Sequence, residues 1–146
     1  MQGVFQGLDI SAAGLTAEMA RAEIVASNIS NMHVTGADGN PYRRRGVLFE
    51  EALVDVAGQH GDLSGEKRAR GVEISGSFED HTTPFIPRYE PGHPHADEEG
   101  FVLTSNVDIF REMVDMMSVE RSYQANLSAM RSYRRMVQST MDNMRT

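Results

Sequence analysis

The feature that most constrains this chain is where its helix breakers lie. All five prolines and all five histidines fall between His33 and His95, and ten of the 13 glycines fall between His33 and Phe101. Proline removes a backbone donor and blocks the helical turn, and glycine costs a helix conformational entropy. Segments almost free of both therefore flank a segment rich in both. The expected fold class is α+β: two long terminal helices form an antiparallel coiled-coil-like pair around a small β-rich insert. The expected boundaries are 1–32 for the first helix, 33–105 for the insert and 106–146 for the second helix.

The first flank carries a regular seam. Met1, Phe5, Leu8, Ala12, Leu15, Met19, Ala22, Ala26 and Ile29 alternate steps of four and three without a break. This is the a/d rhythm of a coiled coil. Three of these positions are Ala, which lets another helix approach closely. The second flank steps in the same way through Ile109, Met113, Met116, Glu120, Tyr123, Leu127, Met130, Arg134, Val137, Met141 and Met144. Phe110, Val114 and Met117 form a second apolar stripe near its start. Ser105 and Asn106 are the expected N-caps, with Ser105-x-x-Asp108 shaped like a capping box. A pair of helices leaves part of each apolar face open, so further neighbours are expected.

Within the insert, Val47-Leu48-Phe49, Val72-Glu73-Ile74 and Phe101-Val102-Leu103 read as short strands. Ala37-Asp38-Gly39-Asn40-Pro41 reads as a turn, and Gly58 to Gly71 as a mobile hairpin tip or loop. Arg43-Arg44-Arg45 reads as a solvated strand edge, with a neighbour's carboxylates as the other possibility.

A net charge of −7 argues against nucleic acid as the main partner, because phosphate binding needs a basic field. With no Cys there is neither a disulfide scaffold nor a thiolate metal site. No segment has the ~20 apolar residues that a membrane span needs. Met1 to Gly7 lacks a basic region before an apolar run, so export, if it occurs, is expected to use no cleaved leader. His93-Pro94-His95-Ala96-Asp97 has the H-x-H-x-D spacing of metal-dependent hydrolases. Glu98 stands where that pattern wants another His, and no αββα order accompanies it. The alternative of a metal-binding enzyme or sensor on His93, His95 and Asp97 therefore ranks below a turn-rich loop. No catalytic residue, cofactor, metal or small-molecule substrate is expected.

Two segments resemble a known family. Ala26-Ser27-Asn28-Ile29-Ser30-Asn31 is similar to the Ser-Asn-(Ile/Leu)-x-Asn signature of flagellar rod and hook proteins. Arg121-Ser122-Tyr123-Gln124-Ala125-Asn126, after Met113-Val114-x-Met116-Met117, is similar to that family's C-terminal signature. Thr35 to Arg43 and Tyr89 to Asp97, followed by Gly100-Phe101-Val102, resemble segments of a proximal-rod member, and they place the His pair in a structural loop. The resemblance covers about 1–50 and 84–146; residues 55–80 match nothing.

What it implies is a non-enzymatic subunit of the basal-body rod, exported uncleaved through the flagellar type III apparatus into the periplasmic space. Its implied partners are other copies of itself, other rod proteins, and components of the membrane ring and export apparatus. Assembly would run through the seam residues Phe5, Leu8, Leu15, Met19, Ile29, Ile109, Met113, Met116, Tyr123, Leu127, Met130 and Val137. Ser27, Asn28, Asn31, Arg121, Ser122, Gln124 and Asn126 would supply polar contacts at helix ends or between subunits. A coiled-coil adaptor unrelated to flagella is a further alternative, and it leaves the insert motifs unexplained.

Overall fold

The computed structural model describes residues 2–36, 39–56 and 66–144. Two helices bracket four strands, giving an α+β chain in the order α1 (Gln2–Asn31), β1 (Arg45–Val56), β2 (Glu66–Glu79), β3 (Ile86–Tyr89), β4 (Phe101–Thr104) and α2 (Ile109–Asn143). At 35 residues α2 is ~52 Å long. No described helix is long and apolar enough to cross a membrane.

β1 pairs with β2, and β3 pairs antiparallel with β4 in the register Ile86↔Thr104 to Tyr89↔Phe101. All three expected strand runs lie in strands. Residues 58–65 of the expected hairpin tip or loop lie outside the described residues, and its remainder, from Glu66, is already β2. β3 escapes the sequence reading because Pro87 interrupts the run, and proline is tolerated only at a sheet edge. A two-stranded sheet has nothing but edges. The described part of the expected turn closes with the Gly39 N–H donating to the Gly36 carbonyl at 3.0 Å.

The chain divides into two compact units: Met1–Ala20 with Leu48–Gly76 and Val119–Thr146, and Arg21–Val47 with Ser77–Ser118. In the first, Ala17 and Val119 are buried, and Gly14 faces the Asn126 amide, where a Cβ would lie 2.8 Å from Nδ2. Gly71, with φ +130°, brings the β2 backbone down on Ile10 and Ala13. In the second unit the buried apolar residues include Val25, Val102 and Val107. These are small side chains, and the largest fully buried groups there are polar.

The start of α2 corrects the expected cap. Asp108 is the N-cap: its Oδ1 accepts the N–H of Phe110 at 2.9 Å and of Arg111 at 3.4 Å, while its carbonyl accepts the Glu112 N–H. Ser105 Oγ accepts only the Val107 N–H, and Asn106 is engaged elsewhere. Asp, not Ser, is the residue placed one position before the first helical turn.

Candidate functional site: a buried polar node and two helix faces

Asn28 and Glu112 are both 0% exposed, and they meet in the second unit. Asn28 Nδ2 donates to Glu112 Oε2 at 3.0 Å and to the Arg45 carbonyl at 2.9 Å. Its Oδ1 accepts the Arg45 N–H at 2.9 Å and the Tyr42 hydroxyl at 3.0 Å. An amide has two donors and two acceptor positions, so Asn28 is fully satisfied. It thereby pins the start of β1 to α1. The other Glu112 oxygen accepts Arg44 Nε at 2.5 Å, and Arg44 continues to Asp115 at 3.1 Å. Asp115 also pairs with Arg21 at 3.4 Å. A carboxylate without solvent needs a cation and hydrogen bonds to stay buried, and here it has both.

A second amide ties in the segment after β2. Asn106 Oδ1 accepts the Arg44 N–H at 2.8 Å, and its Nδ2 donates to the carbonyls of Asp80 at 3.0 Å and Thr83 at 3.1 Å. Arg43 donates to the same Asp80 carbonyl and lies 4.2 Å above the Phe85 ring. The Asp80 carboxylate accepts four bonds from the hydroxyls and N–H groups of Thr82 and Thr83. Those hydroxyls, with the amides, hold it well below the usual carboxylate range. The basic triplet is thus no solvated edge. The Arg44 side chain is 14% exposed in an ion pair inside the chain, and only Arg45, pairing with Glu79 at 3.5 Å, faces solvent.

The seam residues divide by exposure. Leu8, Leu15, Ile29, Met116, Tyr123, Leu127, Met130 and Val137 are half-buried, while Met19 (54%), Met113 (53%) and Ile109 stay exposed. Phe5 lies outside the described side chains. The buried positions of α1 include Ser11, Val25 and Asn28, and those of α2 include Glu112 and Val119. Each line of burial runs one residue ahead of the apolar seam. The signature residues scatter too. Asn31 donates to the Ser27 carbonyl at 2.8 Å and closes its own helix end. Gln124 bonds Glu120 at 3.1 Å, Arg121 is exposed, Ser122 is half-buried, and Asn126 faces Gly14.

The His93 and His95 rings stand 5.7 Å apart, and His93 Nδ1 accepts the His95 N–H. Asp97 is turned away from them: its Oδ1 accepts the N–H of Glu99 at 3.0 Å and of Phe101 at 2.8 Å. Among the described residues no three His, Asp or Glu groups are placed to hold a metal. The H-x-H-x-D spacing therefore builds a turn that leads into β4.

Residues 8–37 match the family model described as flagella basal body rod protein, and residues 98–143 match that of the flagellar basal body rod FlgEFG protein C-terminal. The chain is 39% identical to flagellar basal-body rod protein FlgC of Salmonella typhimurium over 134 residues, covering 91% of this chain and 92% of that protein. It is 36% identical to FlgC of Bacillus subtilis over 94% of this chain and 96% of that protein. For FlgC of Borreliella burgdorferi the identity is 31%, over 95% and 96%. The chain belongs to the FlgC family.

In this FlgC-family chain the Asn28–Glu112 bond joins the two regions that the family models match. Sequence reasoning singled out Asn28, took Asn106 for a helix cap and Arg44 for a strand edge, and missed Glu112 and Tyr42. Charge and amide character predict exposure, and the only signal for Glu112 was its place beside the seam residue Met113. For Arg44 it was the compact basic triplet in an acidic chain.

Proposed function

We propose that this FlgC-family chain is a structural subunit of the proximal part of the flagellar basal-body rod. Its terminal segments 1–32 and 106–146 form the layer through which copies and other rod proteins pack into a helical, torque-transmitting tube. The insert 33–105 stands on that layer, and ring and export components are its remaining partners. The observation that carries this reading is similarity to FlgC proteins over nine tenths of the chain.

Geometry supports it in each unit. In the first, a step of seven residues along α1, from Gly7 to Gly14, is matched by seven residues back along α2, from Tyr133 to Asn126. In the second, moving from Arg21 to Asn28 is matched by moving back from Asp115 to Glu112. Both matches favour antiparallel helices. Large apolar side chains stay on the surface, Phe110 at 77% with Val114 and Met117 beside it, as an assembly protein requires.

In-frame deletion of the gene in its own bacterium, followed by electron microscopy of basal bodies, tests the proposal. Rings without a completed rod, restored by the intact copy, are the expected result. Complete rods in the deletion strain would sink it.

A further inference from the structure

Two outward stripes on the helices carry opposite charge at the same spacing. On α1, Asp9 and Glu23 are exposed and 14 residues apart, which is two heptads and ~21 Å along one face. Between them on that line lie Ala12, Thr16 and Met19, exposed and mostly small. On α2, Arg121 and Arg135 are exposed and also 14 residues apart, with Ser128 midway and Arg131 alongside. Residues 121–141 hold four arginines and no acidic residue, in a chain of net charge −7. Among the described residues no carboxylate pairs with these arginines, and no base pairs with Asp9 or Glu23. The faces that meet within the chain are others, with Gly7 and Gly14 of α1 against Tyr133 and Asn126 of α2.

We propose that the acidic stripe of α1 in one copy lies along the basic stripe of α2 in a second copy. This rests on the rod reading, in which like-oriented copies keep the antiparallel sense. Asp9 then faces Arg135 of the next copy, and Glu23 faces its Arg121. Inside one chain, the register that sets Gly7 against Tyr133 would bring Asp9 level with Arg131. The contact between copies is therefore offset by four residues, one helical turn or ~6 Å. A head-to-tail contact with an axial offset does not close into a ring but continues as a helix. Exposed ion pairs contribute little affinity, so the stripes act by fixing register and refusing misaligned neighbours.

The test uses two charge-reversed chains in the deletion strain: Asp9→Arg with Glu23→Arg, and Arg121→Glu with Arg135→Glu. Far-UV circular dichroism of each purified chain should match the parent. Either chain alone should lower the count of rod-complete basal bodies on the order of tenfold or more. Producing both chains in one cell should restore the count, because every α1–α2 contact between alternating copies is again complementary. Placing all four substitutions in one chain should restore it too. Rescue by the fourfold chain only would locate the contact within one chain. No rescue in either arrangement would set the stripes against something other than a second copy. Unchanged counts with a single pair would show that the stripes are idle. Each of these three results overturns the proposal. Failure of the parent gene to restore rods in the same strain would instead strike the rod assignment itself.

Discussion

Asn28 has its whole amide committed inside the chain, and the Glu112 carboxylate beside it depends on Arg44 for its charge balance. Removing one member of a buried pair costs about 3–5 kcal/mol, because the other is left charged and unpartnered. Arg44→Met should lower stability by that amount in urea unfolding followed by circular dichroism. Arg44→Met with Glu112→Leu should recover most of it. Asp80 gives a pH signature. Its carboxyl is held low in the fold by the Thr82 and Thr83 hydroxyls, so its contribution is full above the unfolded value of ~4 and is lost as pH falls toward the folded one. Asp80→Asn should therefore weaken the protein at neutral pH and remove part of its acid sensitivity, measured as the urea midpoint against pH. None of these roles follows from residue type, since an Arg, a Glu and an Asn are ordinarily surface residues. What makes them buried is that three distant segments converge on them.

At the scale of elements, the two helices were legible and their faces were not. Breaker-free flanks and a four-three rhythm give the extent of α1 and α2 within a few residues. Apolar periodicity, however, marks the side a helix prefers to hide from water, whichever neighbour hides it. In the first unit the helices meet at Gly14 and Asn126, and in the second at Asn28 and Glu112, where small or hydrogen-bonded residues allow close approach. Gly14→Leu should therefore wedge against Asn126 and cost about 1–3 kcal/mol, read as a lower thermal midpoint. Strand existence followed from short β-branched and aromatic runs. The length of β2 did not, because Glu66 to Gly71 carries charges and a glycine that read as a hairpin tip or loop. The helix cap was misplaced by two or three residues for a related reason: Ser105, Asn106 and Asp108 are all cap formers, and only tertiary contacts decide that Asn106 serves elsewhere.

For the whole molecule, stability and assembly should separate. Phe110 lies exposed, so Phe110→Ser should change unfolding free energy by no more than ~0.5 kcal/mol, yet reduce swimming in soft agar. Leu127 is half-buried on the seam, and Leu127→Asp should abolish swimming by placing a charge where helices pack. The node has a kinetic side as well. Asn28 and Glu112 are 84 residues apart in sequence, and Arg44 waits between them for the same carboxylate. Contacts of such long range require a large loop to close before they return any stabilisation. A ribosome that has made the first hundred residues has therefore made an amide and a guanidinium with no acid to join them. Closure of this node therefore waits for the arrival of α2.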